Sequence, residues 1–186
     1  GEDMKLKSIV LSIFALLAAY SAYWYYIAEN AEEYVSDIVK QLESDGINLT
    51  YDQLEVTGFP YRIILSLENP KVNQTQGDVY STWVSDKLNI YAQPWNFSHL
   101  IFTSNASRLS VYGNDNEQNI DSSGIFLDSA SMRLSFNGGK NDNSRISIEL
   151  TNSHTSHYSD NSPIFSAQNF AMHIRSAGNA TGSSEN

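Results

Sequence analysis

Residues Ser8 to Ala28 read SIVLSIFALLAAYSAYWYYIA, a run of 21 residues without a formal charge. A helix rises 1.5 Å per residue, so this run covers about 30 Å, the thickness of a bilayer hydrocarbon core. It predicts a transmembrane anchor over residues 8–28. Lys5 and Lys7 precede the run and Glu29, Glu32 and Glu33 follow it. The excess of positive charge on the cytoplasmic side of membrane spans then places residues 1–7 inside and exports everything after residue 28. Tyr23, Trp24, Tyr25 and Tyr26 cluster at the outer end, where amphipathic rings favour the headgroup level. A cleaved signal peptide is the competing reading, because Ala19 and Ser21 have small-x-small spacing. The apolar run continues through four aromatics beyond that point, which is longer than a signal core and favours retention.

The period then changes twice. Ala31, Tyr34, Val35, Ile38, Val39 and Leu42 recur at helical spacing, which predicts an amphipathic helix over 29–46 with Gly46 as its stop. From Ile47 the period is 2, with Ile47, Leu49 and Tyr51 alternating. Leu54 and Val56 resume on a shifted phase, which predicts a bulge near Asp52 and Gln53. Alternating runs follow at Tyr61–Leu67, Trp83–Ala92, Arg108–Tyr112, Ser131–Phe136, Arg145–Leu150 and Phe170–Ile174. Between them lie the turn clusters Gly113-Asn-Asp-Asn, Asn137-Gly-Gly and Ser159-Asp-Asn-Ser. The expected fold is mainly β: a transmembrane helix and an amphipathic helix, then a curved antiparallel meander over residues 47–176. Residues 177–186, rich in Gly, Ser, Asn and Ala, read as a disordered tail.

Composition removes several classes of function. A net charge of −10 repels phosphate backbones, and no Lys/Arg cluster can track one, so nucleic acid is not expected as a partner. The chain has no cysteine, which excludes disulfides, thiolate metal sites and a Cys nucleophile. No Gly-x-Ser-x-Gly elbow, phosphate loop or dinucleotide fingerprint occurs. The Asn-x-Ser/Thr tripeptides, such as Asn96-Phe-Ser, are what chance yields in a chain so rich in these residues. His154 and His157 lie three apart in a polar stretch that reads as a solvated loop. Their spacing supplies two ligands where zinc needs three or four, and His99 and His173 stand apart. No catalytic residue, metal or cofactor is expected, and the chain does not read as an enzyme.

The distinctive piece is Val56-Thr-Gly-Phe-Pro-Tyr-Arg-Ile-Ile-Leu-Ser-Leu-Glu-Asn-Pro70, followed by Trp83 and by Leu88-Asn-Ile-Tyr-Ala-Gln-Pro94-Trp95-Asn-Phe. With the upstream apolar segment and helix, it resembles the bacterial domain-of-unknown-function 2125 family of alphaproteobacterial envelope proteins, over about residues 4–100. The resemblance implies a bacterial inner-membrane protein, single-pass, with its C-terminal domain in the periplasm. It brings no catalytic residues. Members of that family are usually longer, which raises the expectation of a further C-terminal portion. The pattern is loosely similar to the AsmA-like envelope proteins, whose anchored β-sheets present an apolar concave face to lipid. On steric grounds Gly58 supplies a turn and Pro60 sets the preceding residue extended, so a strand is expected to begin at Tyr61.

Phe59, Tyr61, Trp83, Trp95 and Phe97 crowd the region nearest the span, with Tyr91 and Phe102. Most such rings belong in a core. The first five are the candidate lining of an apolar cleft, because no further helix is evident to roof the sheet. The expected partner is membrane lipid or another hydrophobic ligand. The alternative is an adaptor that recruits an envelope protein through an exposed sheet edge.

Overall fold

The computed structural model describes residues 2–113, 124–138, 144–157 and 159–175. The turn residues expected at 114–116 and 139 and the tail 177–186 lie outside these. Helix α1 (Glu2–Glu29) is followed by α2 (Ala31–Ser44). Ten strands follow among the described residues: β1 (Ile47–Thr50), β2 (Gln53–Thr57), β3 (Ile63–Glu68), β4 (Lys71–Gln76), β5 (Val79–Val84), β6 (Lys87–Gln93), β7 (Asn96–Gly113), β8 (Ile125–Asn137), β9 (Arg145–His157) and β10 (Pro163–Arg175). The segment Lys5–Glu29 is long and apolar enough to cross a membrane by length and composition. In α2, Ala31 and Val35 are buried while the acidic Glu32 and Glu33 occupy its first turn, where the helix dipole favours negative charge.

All the strands join one open antiparallel sheet, with β1 and β2 along one edge and β10 at the other. Its registers reveal a simpler plan. Ile47 faces Gln74 in the β1–β4 pair and Gln53 faces Glu68 in β2–β3, which is one uninterrupted register. The same holds for β4–β5 with β3–β6, and for β5–β7 with β6–β7. Each of the pairs β1/β2, β3/β4 and β5/β6 is therefore one long strand broken in the middle. Together with the unbroken β7, β8, β9 and β10 they make a meander of long strands.

The breaks fall on a single transverse line. Continuing the registers across it puts Asp52, Asn69, Asp86, Ala106, Ala130, Asn152 and Gln168 in one row, every one of them exposed. Asn69, Ala106 and Asn152 have φ of 49°, 50° and 48°, so every second strand passes through the left-handed region on this line. Asn is among the residues that tolerate that conformation. Asn69 N–H donates to the Asp86 carbonyl at 2.9 Å, and its side-chain amide donates to the Asp52 carboxylate at 2.8 Å, tying the first three strands together along the crease.

On the opposite face the neighbouring row is small and buried, including Pro70, Ser85, Ser107, Ser129 and Ser153. Their hydroxyls stitch the fold line. Ser85 Oγ donates to the Asn105 carbonyl at 2.6 Å, Ser129 Oγ to the Ser131 carbonyl at 2.6 Å, and Ser104 and Ser107 share a hydrogen bond of 2.6 Å. Small side chains are needed here because the sheet folds towards this face, and each hydroxyl must be partnered once buried.

The crease also shifts the side-chain phase by one residue. Ser104 and Ser107 touch although three apart, so the face carrying even-numbered residues before the crease in β7 carries odd-numbered ones after it. The concave face is thus apolar on both sides of the serine row. One row runs from Leu65 through Ile90, Phe102, Leu134 and Ile148 to Met172. Beyond the crease Val72, Trp83, Leu109 and Leu127 continue it. The convex face is polar, with the Ser66–Asn89 hydrogen bond at 2.7 Å, the Lys87–Glu68 ion pair at 2.8 Å and the Arg108–Asp128 pair at 2.6 Å.

Several expectations change. The strand expected from Tyr61 begins at Ile63, because Arg62 N–H bonds back to the Gly58 carbonyl and holds residues 58–62 in a turn. The run Trp83–Ala92 breaks at Ser85-Asp86, on the crease. The polar stretch from Thr151, expected as a loop, is the outer half of β9 as far as His157. His154 and His157 therefore point to opposite faces and cannot share a metal ion. Among the described residues no three His, Asp or Glu side chains come together. The expected bulge at Asp52 is the first element of the crease.

Ala106 isolates the cost of the crease from packing, since it is exposed. Ala106→Val should lower stability by about 1–2 kcal/mol, the cost of forcing a branched side chain left-handed. Ala106→Gly should stay within about 0.5 kcal/mol of the parent, because relief of strain offsets the added chain entropy. Thermal unfolding followed by circular dichroism distinguishes them.

Candidate functional site

Two features stand out at the end of the sheet where α1 meets it. The first is the turn Gly58–Arg62, seated against the last turns of α1. Trp24 Nε1 donates to the Arg62 carbonyl at 3.0 Å, and the Tyr20 hydroxyl donates to the Pro60 carbonyl. Tyr23 reaches across to the Pro94 carbonyl at 3.0 Å in the neighbouring turn. Phe59 stacks on Tyr25 with centroids 5.7 Å apart and meets Trp24 edge to face at 5.4 Å. Trp24 is buried by this contact, alone among the large side chains of α1. Gly58 makes the turn feasible: its φ is +104°, and a Cβ there would sit 2.6 Å from the Arg62 carbonyl oxygen. The outer end of the apolar helix is thus bolted to the sheet through three side-chain donors.

Beside this turn, on the convex face, lies a recess of about 750 Å³. Arg62, Arg133, His99, Tyr91 and Thr103 line it, and among the described residues no carboxylate does. The Arg62 guanidinium lies over the Tyr91 ring, 5.6 Å from its centroid, a cation–π contact that orients the side chain. His99 Nε2 is 3.4 Å from Ser135 Oγ.

The second feature is the concave apolar face itself. On β3, next to the β1/β2 edge, Leu67 is 1% exposed and Ile63 is buried. Towards β10 cover is lost: Phe170 is 42% and Ile174 49% exposed. Among the described residues no second sheet or helix layer packs across β8, β9 and β10.

Of the five aromatics singled out from sequence, Phe59 and Tyr61 line the recess, with Tyr61 78% exposed. Trp95 and Phe97 flank the β6–β7 turn at the same end of the sheet and are exposed, Trp95 by 66%. Trp83 lies apart from them, on β5 beyond the crease. It belongs to the concave face, and its Nε1 is buried with no hydrogen-bond partner among the described residues. The five therefore do not form one cleft. Arg62 stands out in the sequence beside Gly58-Phe-Pro, but the aliphatic residues of the concave face and Arg133 as its neighbour do not, because they come together only through the registers of β3, β6, β7 and β8.

The α1-docked turn makes a direct prediction. Gly58→Ala should destabilise the turn by about 1–3 kcal/mol through backbone strain, and Trp24→Phe by about 1 kcal/mol through loss of the donor to Arg62. Both should speed tryptic cleavage after Arg62, measured on the full chain by mass spectrometry, whereas Trp95→Phe should leave it unchanged.

No curated protein and no solved structure matches the chain. A family model described as an uncharacterized protein conserved in bacteria matches residues 24–185, from the outer turns of α1 through the whole sheet. The chain belongs to that family, DUF2125.

Proposed function

We propose that the chain is an inner-membrane-anchored envelope protein whose concave β-sheet carries the acyl chains of lipid, or another hydrophobic ligand, on the periplasmic side. The observation behind this reading is the apolar face, which among the described residues is left without a covering layer across β8, β9 and β10. In water such a surface costs about 25 cal/mol per Å², and contiguous exposed apolar area of this kind marks an interaction site. Its length suits acyl chains. The 13 residues of β8 extend about 40 Å at 3.3 Å each, against about 15 Å for one leaflet's hydrocarbon. Each buried methylene contributes about 0.8 kcal/mol. Lys5 and Lys7 near the start of α1 and Glu29 at its end support the orientation, and in this reading the bolted turn lies beside the lipid headgroups. In this reading the chain binds and passes its ligand and is not an enzyme.

Native mass spectrometry of the full chain, extracted in mild detergent and washed, tests this. Retained phospholipid is expected on the parent and at least tenfold less on Phe102→Glu/Leu134→Glu, which places charge in the centre of the face. Parent protein without lipid, or equal retention by the variant, counts against it.

The free edge of β10 favours a second reading, an adaptor that takes an envelope protein by strand addition. Its 13 residues have β9 on one side and no strand on the other among the described residues. Photocrosslinking from Asn169 in cells separates the two: one stoichiometric protein adduct favours the adaptor.

A further inference from the structure

The recess beside the Gly58–Arg62 turn gathers positive charge on an acidic chain. The chain carries 21 acidic against 11 basic side chains, yet among the described residues two arginines and a histidine line this recess and no carboxylate does. Lys40 pairs with Asp37, Lys87 with Glu68 and Arg108 with Asp128, whereas neither arginine of the recess has an ion pair among the described residues. Glu68 holds the Lys87 ammonium above its usual pKa, and Asp128 does the same for Arg108. Glu149 stands directly across from Arg133 on β9 but does not line the recess.

The two guanidiniums arrive from different elements. Arg62 is fixed at its backbone by the bond from Trp24 Nε1 and at its side chain by the Tyr91 ring. Arg133 projects from the centre of β8, on the row that contains Asn89 and Thr103. Neither is buried, so neither costs desolvation while unoccupied. The Thr103 hydroxyl and the His99 ring add polar groups on the same wall. Arginine presents a planar fork of N–H donors that matches the oxygens of phosphate.

We propose that this recess is a binding site for a phosphate group, delivered on a phospholipid headgroup or as free phosphate. Its position fits the first source, since α1 leaves its apolar run at Trp24 and Tyr25, the residues that hold the wall of the recess. The site opens on the convex face, opposite the apolar one, and so stands whether or not acyl chains occupy the concave side.

The test uses the full chain with two probes. Inorganic phosphate is titrated against protein in uncharged detergent by isothermal calorimetry. Nanodiscs of phosphatidylglycerol and of an uncharged glycolipid then receive the chain, and phenylglyoxal modification of Arg62 and Arg133 is read by mass spectrometry. Expected is protection of both arginines, at least fivefold, in phosphatidylglycerol discs or with added phosphate. At least tenfold weaker binding is expected in Arg62→Gln/Arg133→Gln, with Arg108→Gln unchanged. Protection by lipid alone assigns the headgroup, and protection by both assigns a phosphate site without lipid selectivity. Equal reactivity of both arginines under every condition overturns the proposal, and that readout on the parent chain needs no variant to fold. Loss of lipid on the concave-face variant Phe102→Glu/Leu134→Glu with arginine protection intact separates this site from the acyl-chain reading.

Discussion

Side chains on a β-strand alternate between faces, and a sheet of long strands keeps one apolar face only while that alternation holds. In this molecule the alternation slips by one residue, and it slips in every strand on the same line. A slip in one strand alone would turn its apolar residues to the opposite face against neighbours that had not turned. With Asn69, Ala106 and Asn152 left-handed in one row, the whole sheet bends together and the apolar face stays continuous. The inward row holds small side chains such as Ser85, Ser129 and Ser153, whose hydroxyls donate to nearby carbonyls, and Ser107, whose hydroxyl bonds to that of Ser104.

From this bend follow the shape and exposure of the molecule. The apolar face is drawn inward as a trough, while the convex side carries ion pairs and serine, asparagine and threonine side chains. A helix would ordinarily cover such a face. Here α2 buries only Ala31 and Val35, and α1 contributes its outer end alone, through Tyr20, Tyr23 and Trp24. The fold thus leaves an apolar surface open in a chain that also carries a membrane-length helix. The two are joined at Gly58–Arg62 through Tyr20 and Trp24.

Much of this plan was legible in the residues. The uncharged run at Ser8–Ala28, the helical period after Ala31 and the alternation after Ile47 define the helices and the class of sheet. The phase shift between Tyr51 and Leu54 marked the crease in the first strand. The same signal recurs downstream, where Leu100 and Phe102 are even-numbered and Leu109 and Val111 odd-numbered. It was obscured there because serine and alanine at the crease interrupt the apolar pattern and look like turns. Register was not legible, since it depends on where each hairpin closes, and the concave rows and the Arg62–Arg133 pair depend on register. Trp83 shows the same limit: its ring lies beyond the crease from Phe59 and Tyr61, so its type suggested a shared cleft that the topology divides.

Adjacent residues of β8 give the most direct test of the proposal that the apolar face carries lipid, because Leu134 points into the trough and Ser135 to the convex side. A photoreactive amino acid placed at each position in turn, in cells, should form lipid adducts at 134 and few or none at 135. Equal labelling at both positions, or protein adducts alone at 134, would contradict the account.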